Sequence, residues 1–242
     1  MLKGMSRRFS ILFYALLVWT IVSAALLLSY VLFVEWIWQA WYYVLWPALG
    51  GGLVWRYRLP LKRAIDVWSL APILKYVLIV YGMVLAEEVL ASLLNHLSEG
   101  FYFPLYIKRI GQFWALNMLA FSGMAWGSYL VFSRVYFSRI EMFCVLGMFG
   151  QISEHLIYRL LFVPGEKLAA FVLLPLNFWV YGAIFLPAFF VIEGLPRKAM
   201  RAYWRYPLVF IVIVMCSMPF IGFLDWSRAL APDLYPPRNF VP

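Results

Sequence analysis

Seven stretches of the chain are apolar enough, and long enough, to cross a lipid bilayer. They cover 9–34, 36–55, 72–97, 110–132, 140–162, 168–192 and 206–225. About 20 helical residues span a bilayer core of about 30 Å, and each stretch meets or exceeds that length. The runs are continuous rather than alternating, which predicts helices and not a membrane β-barrel. The fold class expected is therefore all-α, one polytopic domain over 1–242 with about seven transmembrane helices. The second run is interrupted by Pro47 and by Gly50, Gly51 and Gly52, so a kinked or re-entrant segment is expected there. Trp36, Trp38, Trp41, Tyr42, Tyr43 and Trp46 around its start resemble an interfacial aromatic belt. The first run follows Lys3, Arg7 and Arg8 as a signal peptide would, but it is longer than a signal core, so a retained helix is expected.

Polar residues inside these runs carry the chemistry. Glu87, Glu88 and Glu154 lie at membrane depth, where an ionisable group costs several kcal/mol and marks a site. On the third run, Glu88, Ser92, Asn95 and Glu99 share one helix face, with Glu87 about 100° away. On the fifth, Gln151, Glu154, His155 and Tyr158 cluster. Asn117 stands on the fourth, and Asn177 and Tyr181 on the sixth. Counting from the helix ends places Glu88, Glu154, Asn117 and Asn177 at roughly 10–14 Å below the same surface. A shared depth predicts one polar cavity, built within 72–192. His96, near the outer interface, is expected to have a structural role.

Composition and charge sharpen the class. The chain of 242 residues is 65% hydrophobic and 13% charged, far from a soluble domain. Its net charge of +9 sits between apolar runs, which points to topology and anionic lipid headgroups and not to nucleic acid. With the N-terminus inside, thirteen Lys and Arg residues fall on inner segments and six on outer ones, so an N-in, C-out orientation is expected. The residues after Phe223 are expected to form an extracytoplasmic coil. Cys144 and Cys216 both fall inside runs and suggest no disulfide framework.

A carboxylate in a helix bundle can act as a general base, and an amide nearby can hold an oxyanion. That combination suits hydrolysis by an activated water. With two histidines in all and no His-Glu-x-x-His motif, the signal for a divalent metal is weak, though Glu and His are able to bind one.

Three motifs resemble those of PrsW-type intramembrane proteases, within the CAAX prenyl endopeptidase superfamily. They are the run from Glu87-Glu88 to Ser92, the run Gly150 to Tyr158 containing Glu154-His155, and Pro175-Leu176-Asn177-Phe178-Trp179. The likeness covers roughly residues 80–185. It implies a membrane hydrolase in the cell membrane, with the Glu pair activating water against a membrane-embedded or prenylated peptide. By that likeness Glu87, Glu88, Glu154, His155 and Asn177 are the catalytic candidates. Ser92, Asn95, Asn117, Gln151, Tyr158 and Tyr181 are expected to support them. No cofactor is required, a divalent metal remains open, and the oligomeric state is not specified.

The chain also departs from the family pattern. Ala91 and Ser92 stand where the family has a basic residue after the Glu pair, Asn177 replaces the third-motif His, and His155 follows Glu154 where Asn is usual. On this reading His155 takes over the imidazole role. The alternatives are an inactive scaffold or chaperone member of the same superfamily, or an isoprenoid or lipid enzyme of the lycopene cyclase type, for which Asn177 and Trp179 match a short pattern. A proton-coupled transporter is a further alternative.

Overall fold

A computed structural model describes residues 7–231. Lys3, Arg238 and the end of the C-terminal tail lie outside the described residues. The long helices are α1 (Arg7–Phe33), α5 (Pro72–Glu99), α6 (Phe103–Phe132), α7 (Arg139–Ser153), α9 (Lys167–Phe185) and α11 (Ala202–Leu230). The short ones are α2 (Tyr42–Trp46), α3 (Leu53–Arg56), α4 (Arg58–Asp66), α8 (Leu156–Phe162) and α10 (Phe189–Glu193). The protein is an all-α, polytopic membrane protein. Among the described residues, five helical stretches are long and apolar enough to cross a membrane, or six if α7 and α8 form one broken span.

Three of the seven expected runs are not simple helices, and the sixth passes from α9 through a 3-10 turn at Leu186–Ala188 into α10. The second is a chain of short turns, with a 3-10 turn at Trp38–Trp41, then α2, then a π turn at Pro47–Gly52, then α3. Pro47 has no N–H to give, and three successive glycines weaken the α ladder, so the backbone widens there. The fifth run breaks between Ser153 and Leu156, with a bend of 58°. His155 makes the break by adopting a left-handed φ of 56°. The last run is longer than expected. No proline lies between Pro219 and Pro232, so α11 continues to Leu230 and the stretch just after Phe223 is helix rather than coil.

The core lies among α5, α6, α7, α9 and α10, around Tyr76, Val80, Phe132, Leu146, Phe185 and Phe189. α1 is peripheral and leans on α9, where Trp179 Nε1 donates to Thr20 Oγ1 at 2.8 Å. The broken segment is packed inward. Trp46 is buried, and its Nε1 donates to the Val180 carbonyl of α9 at 3.3 Å. So Tyr42, Tyr43 and Trp46 belong to the interior and not to an interfacial belt, while Trp36 is exposed.

α6 and α11 form the most extensive helix pair. Gly123 and Gly127 make this approach possible. A Cβ on Gly123 would lie 2.2 Å from Ser217 Cα, and one on Gly127 2.6 Å from Ile213 Cα. Small residues four apart let two backbones meet without side chains between them.

At the basic end of the bundle, polar clamps join the elements. Ser138 caps α7 in a reciprocal box with Glu141. Glu141 also accepts from Arg205 and, at 2.7 Å, from Tyr206 Oη. Arg205 thus holds α7 to α11, a role beyond setting topology. Arg139 pairs with Glu193 through two nitrogens.

Gly123→Val or Gly127→Val is expected to lower stability by about 1–3 kcal/mol by forcing α6 and α11 apart. Thermal unfolding of the purified protein in detergent checks this. Unchanged unfolding in both variants would rule out the close pair.

Candidate active site

The shared depth read from the sequence corresponds to a real cavity of about 200 Å³. Its walls come from five elements. α2 supplies Tyr42 and Tyr43, α5 supplies Glu87, and α6 supplies Asn117 and Phe121. Glu154, Leu156 and Arg159 come from the α7–α8 bend. Asn177, Val180, Tyr181 and Ile184 form one face of α9, at helical spacings of three and four.

Each acid in this region has a specific donor. Tyr42 Oη donates to Glu87 Oε1. Asn117 Nδ2 donates to Glu88 Oε1. Tyr181 Oη donates to Glu154 Oε1 at 2.5 Å. Glu87 and Glu88 are both buried, at 8% and 5% exposure. Glu87 lines the cavity itself, whereas Glu88 reaches it through Asn117. The cavity therefore faces the Glu87 side of α5 and not the face shared by Glu88, Ser92 and Asn95.

Local structure explains the Glu154 position. The break after Ser153 leaves Glu154 as the C-cap of α7, with its chain turned toward α9. The Tyr181 ring occupies the place where a side chain on Gly150 would be, since a Cβ there would lie 2.2 Å from the ring. That ring stacks on Phe121 at 5.4 Å between centroids, which aims its hydroxyl at Glu154.

One wall group has no partner. Asn177 is 5% exposed, and its Nδ2 makes no hydrogen bond. A buried amide N–H₂ left unpaired costs about 1–3 kcal/mol, so an amide kept here is poised to donate to whatever enters the cavity. Arg159 stands at the rim, 3.4 Å from Glu166, with both side chains about half exposed. It pairs with Glu166 and not with Glu154.

Several expected site residues lie elsewhere. His155 is exposed at the bend and is not on the cavity wall, because the left-handed turn that frees Glu154 points the next residue outward. Tyr158 is exposed at 59% and packs on Phe162. Gln151 is fully buried, and its Nε2 donates to the Gly147 carbonyl at 3.1 Å. Ser92 is buried, with its carbonyl bonded to His96 Nδ1 at 2.9 Å, and Asn95 is half-buried near Ser98. His96, near the end of α5, packs into the protein as a structural residue. It is 1% exposed, with ring contacts to Phe101 and Tyr106.

Tyr42 and Tyr43 are cavity residues that the sequence reading placed at the interface. The signal available was the broken helix that follows them, since irregular backbone at membrane depth is tolerated where it lines a cavity. No group of three His, Cys, Asp or Glu side chains able to hold a metal ion is found among the described residues.

The chain matches no family model, no curated protein and no solved structure. The likeness to the intramembrane proteases therefore rests on its three motifs.

In a cysteine-free background, Glu154→Cys is expected to react quickly with a membrane-impermeant maleimide added from the outer side. Glu88→Cys is expected to stay unlabelled under the same conditions. Equal labelling, or labelling of Glu154→Cys from the inner side alone, would contradict the expected N-in, C-out orientation with Glu154 at an accessible rim.

Proposed function

We propose that this cavity is the active centre of an intramembrane hydrolase that cleaves a peptide bond of a membrane-embedded substrate in the cell membrane. The observation that carries the reading is the pairing of a buried carboxylate, Glu87, with an unpartnered buried amide donor, Asn177 Nδ2, on one small cavity. A base and an oxyanion donor facing one space are what acyl hydrolysis requires.

The roles follow from position. Glu87 takes a proton from a water, whose oxygen attacks the substrate carbonyl carbon. Asn177 Nδ2 donates to the oxyanion that develops. The C–N bond breaks as the leaving amine takes up the proton that Glu87 removed from the water, which restores the carboxylate, and the Tyr181–Glu154 pair is the relay on that side of the cavity. Tyr42 orients Glu87, and Asn117 ties Glu88 next to it. His155, outside the cavity, has no step in this scheme.

A non-catalytic scaffold of the same superfamily is the second reading. It is favoured by the fact that all three acids already accept a hydrogen bond within the bundle, as purely structural acids do. The cyclase reading is not favoured. Trp179 bonds Thr20 and lines a separate groove, so it does not meet Asn177 in one site.

The two readings separate in membranes of cells expressing the protein or Glu87→Gln at matched levels. Hydrolysis predicts new peptide N-termini within membrane segments for the native chain and a loss of at least about hundredfold in Glu87→Gln. Tyr42→Phe should weaken cleavage without abolishing it. Cleavage that persists in Glu87→Gln, Glu88→Gln and the double variant excludes the mechanism.

A further inference from the structure

The opposite face of α9 builds a second space. Trp179, Ala183 and Leu186, again at helical spacing, form one wall of a groove of about 340 Å³. Phe13 of α1, Gly52 and Trp55 of the broken segment, and Phe143 of α7 complete it. These side chains are apolar and most are half-exposed, so the groove opens sideways at the bundle surface. Gly52 keeps it open, since nothing lies within 4 Å of where its Cβ would be.

The end of this groove is basic. Arg56 is exposed and directly follows Trp55. The Arg58 guanidinium stacks on the Trp55 ring, 4.7 Å from its centroid, and donates to the Trp55 carbonyl at 2.9 Å. Next comes α4, which carries Arg63 beside exposed Leu59 and leads to exposed Val67 and Trp68. Basic residues set among exposed apolar ones are the pattern of a helix lying in a headgroup layer. Arg139 also lines the groove but is paired with Glu193, which leaves Arg58, stacked on the lining residue Trp55, and Arg56, over the neighbouring Tyr57 ring, as the positive charges next to it.

We infer that the groove is a binding site for an anionic glycerophospholipid of the inner leaflet. One acyl chain lies along Trp179 and Phe143, and the phosphate sits against Arg56 and Arg58. An apolar slot ending in two guanidiniums complements a chain carrying an anionic head. A zwitterionic lipid fits the slot equally well but gains less from the arginines, which attract an anionic headgroup. The site is independent of the acidic cavity, because α9 stands between them.

Native mass spectrometry of the full chain, released from vesicles of equal phosphatidylglycerol and phosphatidylcholine, tests this. Retained phosphatidylglycerol is expected in excess. Arg56→Gln with Arg58→Gln is expected to cut that preference by at least about fivefold. Gly52→Trp, which fills the groove from a position with open space, is expected to reduce retention of both lipids. Should the tryptophan disturb folding, the arginine variant at the surface still decides the matter. Equal retention of the two lipids by the native chain, or a preference unchanged by the arginine substitutions, would overturn the inference.

Discussion

A carboxylate in a membrane protein is costly unless water or a donor reaches it, and three of them shape this one: Glu87 and Glu88 are buried, and Glu154 is exposed at the α7–α8 bend. Glu87, Glu88 and Glu154 each receive a hydrogen bond from a different helix: Tyr42 on α2, Asn117 on α6 and Tyr181 on α9. Those bonds cross between elements, so they fix how the elements assemble as well as how the acids are held. The broken segment must fold inward to bring Tyr42 to Glu87. α7 must bend to bring Glu154 to Tyr181. The irregular stretches thus coincide with the places where an acid needs a partner.

Close backbone approach makes these reaches possible. Gly150 leaves room for the Tyr181 ring, and Gly123 and Gly127 seat α6 against α11, which sets the position of Asn117 relative to α5. The remaining asymmetry is in the amides. Asn117 is used up on Glu88, while Asn177 Nδ2 has no partner. That unequal satisfaction distinguishes a cavity prepared for a guest from one that is merely hydrogen-bonded, and it supports the hydrolytic proposal over the scaffold. α9 serves both spaces, with Asn177 and Tyr181 on the acidic cavity and Trp179 and Ala183 on the apolar groove.

Much of this was legible in the chain, and the misses have physical causes. The third run, read as 72–97, is α5 over Pro72–Glu99, because long uniform hydrophobicity defines a span well. The grouping of Glu154, Asn117 and Asn177 followed from depth, which depends on residue counts alone, whereas Glu88, placed at the same depth, is not on the cavity wall and Glu87 is. Rotation about a helix is harder to read. Glu87 and Glu88 are adjacent, and which of them faces the cavity depends on Tyr42, a partner 45 residues away. The bend at His155 has no proline or glycine to announce it, although His is among the residues that tolerate a left-handed φ. Tyr42 and Tyr43 stand in an aromatic cluster whose composition matches an interface as well as it matches an interior. The Gly123-x-x-x-Gly127 spacing was in plain view as a packing signal.

The inward fold of the broken segment onto α5 is the arrangement from which the cavity follows, and a double-mutant cycle measures it most directly. Unfolding free energies would be compared for the native chain, Tyr42→Phe, Glu87→Gln and the pair. If Tyr42 donates to Glu87, the two substitutions couple by about 0.5–3 kcal/mol, as residues in contact do. Strict additivity would mean that the two side chains do not meet and that the cavity is not built as described.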